Sequence, residues 1–198
     1  MFYPYAALWH TAPVSLHRIF NFKTMSKSKF NEEFFANVRE MEIWKLLSGD
    51  SSLAWSETLI DRYQDKIDWK NLSENSNVQW TASMLEKYTD RLDWKALSEM
   101  RFVGLFSSEN LRRFSTKWDW SALSSNSFVG WTMEKVEEFK NFIDWGEMID
   151  CYDNDLHTLE FFEKYKGYFP ISSLQNSRLW YSILDIYKNK LIEQILAQ

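Results

Sequence analysis

From residue 56 onward the chain places apolar side chains at intervals of three and four, which is the spacing of one helical face. The first set is Leu59, Ile60, Tyr63 and Ile67, and the second is Met84, Leu85, Tyr88 and Leu92. Leu111, Phe114 and Trp118 form a third, Val136, Phe139 and Ile143 a fourth, and Phe161, Phe162, Tyr165 and Phe169 a fifth. Each set predicts a main helix of about three turns. A hydroxyl residue stands ahead of every set, at Ser56, Thr81, Ser107, Thr132 and Thr158, where its oxygen can accept from the unpaired amides of a first turn. Between the sets runs a shorter motif, Asp-Trp-x-x-Leu-Ser. Asp68, Asp93, Asp119 and Asp144 there predict N-caps for a second, shorter helix, favoured also by the helix dipole. Asn75 and Asn126 follow it closely and are expected to stop it in the left-handed conformation.

The two helices recur as one unit. Trp44, Trp69, Trp94, Trp120 and Trp145 are spaced by 25, 25, 26 and 25 residues, and Ile171 takes the same place 26 residues later. Leu47, Leu72, Leu97, Leu123, Met148 and Leu174 form a column three residues on, followed by Ser48, Ser73, Ser98 and Ser124. A second aromatic column holds Trp55, Trp80, Phe106 and Trp131. A hairpin this small cannot bury its own apolar face, so copies must stack. The expected fold is therefore all-α: a solenoid of stacked two-helix repeats of 25 to 26 residues, one short and one longer helix in each, over residues 30–198. Phe34, Phe35, Val38 and Met41 are expected to close one end, and Leu184, Tyr187, Leu191, Ile195 and Leu196 the other. Residues 1–29 lack the pattern and contain Pro4 and Pro13, so they read as a poorly ordered or dispensable leader, with Met25 placed as an alternative start.

Composition removes several classes. Aromatics are 18% of the 198 residues, with 11 Trp, against 5 Gly and 3 Pro, which is the composition of a folding chain. No uncharged apolar run approaches the ~20 residues of a spanning helix. The basic residues Arg18 and Lys23 follow the early apolar stretch instead of preceding it, which argues against a secretory signal, and a cytoplasmic location is expected. Cys151 stands alone, and three scattered histidines cannot complete a usual zinc site, so neither disulfide, metal nor cofactor is expected. The first 29 residues carry four cations and no acid, which leaves 19 Lys and Arg against 28 Asp and Glu in the remainder. That acidic body counts against a general nucleic-acid binder.

The stretch Trp118-Asp119-Trp120-Ser121-Ala122-Leu123-Ser124-Ser125-Asn126 resembles the unit of short tandem helical repeats found in uncharacterised bacterial and large DNA virus proteins, which reads roughly W-D-W-x-x-L-S-x-N. The likeness extends over residues 44 to 182. Met100 departs from it at the Asn, and Leu156 departs at the later Trp. The resemblance implies a helical repeat architecture and brings no catalytic residues.

The candidate chemistry is sparse. Arg62, Lys66, Lys87, Arg91, Arg113 and Lys117 occupy matching places in successive copies, so stacking would align them into basic rows that stop before Glu138 and Phe142. Such rows suit an acidic protein segment, chiefly through steering. The leading reading is a non-catalytic scaffold for protein–protein interaction, with another protein as partner and no membrane. Two alternatives differ in class: an enzyme with a metal or acid–base site in the Asp150 to His157 loop, and a single-strand nucleic-acid binder using the basic rows with stacked aromatics. The loop lacks the glycine and the final glutamate of a calcium hand. His157 has no nucleophile column beside it, and acidic neighbours disfavour a reactive Cys151 thiolate.

Overall fold

The structure is a computed structural model that describes residues 27–152 and 156–197, with side chains from residue 32 onward. It is all-helical, with no strand among the described residues. Of the leader expected over residues 1–29, residues 1–26 lie outside the described residues and residues 27–29 belong to the first helix; the acids Asp153 and Asp155 also lie outside the described residues. The chain divides into two compact units, Met1–Ile43 and Trp44–Gln198. Helix α1 spans Lys27–Gly49. In the first unit Phe34, Phe35, Val38 and Met41, read from sequence as an end closure, are all exposed.

The second unit alternates two kinds of helix. The first kind comprises α2 (Glu57–Tyr63), α4 (Ala82–Lys87), α6 (Ser108–Arg113), α8 (Met133–Phe139) and α10 (Leu159–Tyr165). The second comprises α3 (Trp69–Glu74), α5 (Trp94–Ser98), α7 (Trp120–Ser125), α9 (Trp145–Met148) and α11 (Ile171–Leu174). Helix α12 follows, from Arg178 to Leu196. The expected hydroxyl caps form: Ser56, Thr81, Ser107, Thr132 and Thr158 each accept an amide of the first turn at 3.1 to 3.2 Å. The aspartates do the same, Asp68 accepting from Asn71 N at 2.8 Å, and Asp93 and Asp119 from Ala96 N and Ala122 N at 3.0 Å. Each cap of this kind contributes about 1 kcal/mol.

The helices of the first kind are shorter than the periodicity suggested, at 6 or 7 residues instead of three turns. The apolar spacing continues past their ends because the backbone turns in place there. The Nε1–H groups of Trp69, Trp94, Trp120 and Trp145 donate to Gln64, Thr89, Ser115 and Lys140 carbonyls just beyond those ends, at 2.7 to 3.2 Å. The tryptophan of the next helix thus satisfies a carbonyl that a longer helix would have used itself. Asn75 and Asn126 also differ from expectation. Their φ values are −77° and −87°, outside the left-handed region. Their side chains explain them: Asn75 Nδ2 donates to the Ser48 and Asp50 carbonyls, and Asn126 Nδ2 to those of Ser98 and Met100. Both asparagines tie one copy to the preceding one.

Helices α3, α5, α7 and α9 pack in succession. The rungs between them are serine oxygens. Ser73 Oγ donates to Trp69 O at 2.7 Å and accepts from Asp93 N at 3.0 Å. Ser48, Ser98 and Ser124 bridge to Asp68, Asp119 and Asp144 in the same way. All four serines are fully buried. The next rung would join residue 149 to residue 170, where Ile149 has no hydroxyl and Pro170 has no amide proton. Donor and acceptor vanish together, so no polar group is stranded.

The core confirms one aromatic column and adjusts the other. Trp55, Trp80, Phe106 and Trp131 are buried, as are Leu72, Leu97, Leu123 and Met148. Of the column that begins the short helices only Trp94 is buried, and Trp44, Trp69, Trp120 and Trp145 are half-buried. Each of these rings instead lies against an aromatic of the following copy, in the pairs Trp44–Tyr63, Trp69–Tyr88, Trp94–Phe114, Trp120–Phe139 and Trp145–Tyr165, with centroids 5.0 to 5.5 Å apart.

The C-terminal closure expected from Leu184, Tyr187, Leu191, Ile195 and Leu196 does not form, because all five are exposed. Only Leu179 and Ile183 of α12 are buried. Length accounts for this. A helix of 6 or 7 residues offers roughly 10 Å of neighbour to pack on, whereas the 19 residues of α12 extend for roughly 28 Å. No helix among the described residues is long and apolar enough to cross a membrane.

Candidate interaction surface

The basic rows are present, and most of their charges face acids of the preceding copy. Lys87 Nζ sits 3.0 Å from Glu57 and 2.7 Å from Asp61. Arg113 reaches Glu86 at 2.6 Å, and Lys117 reaches Asp90 at 3.1 Å. Arg91 lies 3.6 Å from Asp65, donates to the Gln64 carbonyl at 2.9 Å, and covers the Trp69 ring at 5.5 Å. Lys66 lies over Trp44 at 5.6 Å. Arg62 is exposed and forms no ion pair with another described residue.

This geometry explains where the rows stop. Asp61–Lys87 and Glu86–Arg113 join matching places in successive copies, the acid coming from the earlier one. At the next junction the signs exchange, with Arg112 in the earlier copy pairing with Glu138 in the later. They revert at Glu137–Lys164, 3.2 Å apart. The place two residues ahead of the capping Asp behaves alike: Lys66 and Arg91 cover a tryptophan as cations, and Phe142 and Tyr168 cover Trp120 and Trp145 as rings stacked at 4.9 Å. A cation and an aromatic ring each satisfy the face of an indole. Both basic rows therefore end where another chemistry performs the same junction.

The electrostatics follow the pairs. Hydrogen bonds from Lys87 and then Tyr88 hold the Asp61 carboxyl below its usual range. Burial, followed by its bond to Asp61 at 2.7 Å, pushes the Tyr88 hydroxyl up to about 12. Lys140, Lys164 and the Tyr165 hydroxyl converge on Glu137 and hold it at about 2. Because that folded value lies below the ordinary 4.5, the contribution of Glu137 is complete above pH 4.5 and fades as pH falls toward 2. Glu137→Gln is expected to flatten the dependence of the urea midpoint on pH across that window. An unchanged slope would show that the cluster does not couple to folding.

The other sequence candidates differ in exposure. His157 and Cys151 are buried, the His157 ring 6.4 Å from that of Phe161, while Asp150 is exposed and its Oδ1 accepts from Arg178 N at 2.9 Å, at the first turn of α12. No group of three His, Cys, Asp or Glu that could hold a metal occurs among the described residues. Lys135 occupies an apolar place in its helix, where burial lowers its pKa, and its Nζ donates to the Phe106 and Val129 carbonyls at 3.2 and 2.6 Å. That lysine ties two loops.

Sequence reasoning passed over a set of exposed apolar side chains in the loops. Phe102 is 38% exposed, Val103 67%, Phe128 37% and Tyr152 70%. They lie after the short helices of three successive copies. The first two loops form adjacent 3-10 turns, Val103–Leu105 and Ser127–Val129. Gly130 closes the second turn at φ +61°, a conformation that favours glycine. The Phe102 ring lies so close over Gly104 that an added Cβ would meet it at 2.9 Å. Arg178 covers Tyr152 at 4.6 Å. The signal was available as apolar residues at the loop place where the first copies carry Ser52 and Asn77. No family model, curated protein or solved structure matches the chain.

Proposed function

We propose that the chain is a non-catalytic helical repeat scaffold, a solenoid of stacked two-helix units, that binds another protein along the loop edge bearing Phe102, Val103, Phe128 and Tyr152. One observation carries this reading: exposed apolar side chains recur on consecutive loops, whereas the serines, tryptophans and most of the charges that recur through the copies are engaged between neighbours. Loops positioned by a rigid framework commonly carry recognition, and exposed apolar side chains gathered there mark contact sites. In this reading the basic rows act first as inter-copy ties, and an acidic segment has only Arg62 and the outer halves of the paired cations to approach.

Affinity capture with Phe102→Asp combined with Phe128→Asp is expected to lose the partner while the circular dichroism spectrum is kept. Arg62→Glu, Arg91→Glu, Arg113→Glu and Lys117→Glu together are expected to lower the melting temperature before they change capture. Loss of partner from a well-folded basic-row variant, with full capture by the loop variant, would transfer the site to the rows.

A further inference from the structure

Helix α12 outruns the copies it packs on, and its free length is apolar on one side. Trp180 is half-buried with its ring 6.2 Å from that of Phe162, and beyond it Leu184, Tyr187, Leu191 and Ile195 are 45%, 51%, 57% and 60% exposed. The spacings of four, three, four and four make one continuous stripe. We propose that this stripe is a dimerisation surface on which α12 of a second copy lies antiparallel, about a dyad between Tyr187 and Lys188.

The occupant is indicated by the symmetry of the stripe itself. A two-fold contact brings one patch against the same patch, so the patch must be complementary to itself. About a point between residues 187 and 188, Trp180 exchanges with Ile195, Leu184 with Leu191, and Tyr187 with Lys188. Every large apolar member of the stripe away from the centre meets another. Charge agrees with this. Residues 184–196 hold two acids, Asp185 and Glu193, and two bases, Lys188 and Lys190, within a body where acids outnumber bases. Asp185 and Lys188 pair within the helix on one flank, and around the dyad they become two acids and two bases in alternation. A neutral, mixed-sign patch can approach its own copy where the acidic remainder would repel. The contact is small, and dissociation in the micromolar range follows from a paired length of roughly 24 Å.

Sedimentation equilibrium of the full chain from about 1 to 100 µM is expected to show a monomer–dimer equilibrium. Leu191→Glu should remove the dimer and, at concentrations low enough for the chain to be monomeric, leave the melting temperature unchanged, because this side chain is already exposed in the monomer. Lys188→Glu should weaken dimerisation about tenfold, and the addition of Asp185→Lys should restore it. Under mild oxidation Tyr187→Cys, beside the dyad, should form a disulfide-linked dimer. Ile195→Cys should not, because its two copies lie roughly 22 Å apart along the pair, far beyond disulfide reach. A monomer at the highest concentration, failure of the double charge variant to recover, or cross-linking through residue 195 in place of 187 would each overturn the proposal. So would recovery of the chain on anionic vesicles with no self-association, which would assign the stripe to a membrane surface.

Discussion

Trp131→Ala is expected to lower the unfolding free energy by about 3–5 kcal/mol, read as a fall in the urea midpoint. The ring is 4% exposed and belongs to the continuous cluster that runs through successive copies. Its Nε1–H donates to the Leu123 carbonyl at 3.1 Å. Trp80 occupies the same place two copies earlier, and its Nε1–H is buried with no acceptor among the described residues. Phenylalanine keeps the apolar bulk nearest the backbone and removes the N–H. Trp131→Phe should therefore cost about 1 kcal/mol more than Trp80→Phe, the net value of one hydrogen bond. Equal costs would mean that ring volume alone decides, and that the polar edge of this column contributes nothing.

The second large effect is expected at a smaller side chain. Ser98 is fully buried, donates to the Trp94 carbonyl at 2.7 Å and accepts from Asp119 N at 3.0 Å. Ser98→Ala leaves the Asp119 amide facing a methyl group, at a cost of about 1–3 kcal/mol. The same change at exposed Ser125 should stay within about 0.5 kcal/mol. Amide hydrogen exchange supplies the site-specific readout. Protection of Asp119 should drop in Ser98→Ala and persist in Ser125→Ala. Retained protection at Asp119 would show that the serine is a filler, not a rung.

Much of the all-helical fold could be read from the residues because its signals are local. The hydroxyl and aspartate caps act within three residues, and a column of Ser, Thr or Asp ahead of an apolar period leaves few other roles for them. The leucine and second aromatic columns were legible as core for the same reason. What escaped was chemistry that spans copies. Ser73 reads as an ordinary helix-end serine until Asp93 N is placed upon it, and its sequence trace is indirect: the hydroxyl disappears at Ile149 in the copy before Pro170. The exchange of signs at Arg112 and Glu138 was likewise visible only as the end of a row, because helical periodicity describes which residues share a face and not which neighbour they meet. Helix α12 was misjudged since an apolar stripe looks the same whether or not enough array exists to cover it. The loop residues Phe102 and Phe128 escaped because attention to periodic positions passes over the segments between them.

The sign exchange at Arg112–Glu138 bears on how such an array can change in length. Every tie described above joins a copy to the next one only, so removing a whole copy splices two formerly separated partners into contact. Loss of the copy that carries Glu86 and Lys87 would bring Arg113 onto Asp61 and Lys117 onto Asp65, opposite charges in both cases. Loss of the copy that carries Arg112 and Arg113 would instead set Glu138 against Glu86, two carboxylates, and Phe142 against Asp90. The modules are thus interchangeable in shape and unequal in grammar: some deletions leave a sentence that still parses, and those that cut the reversed pair do not.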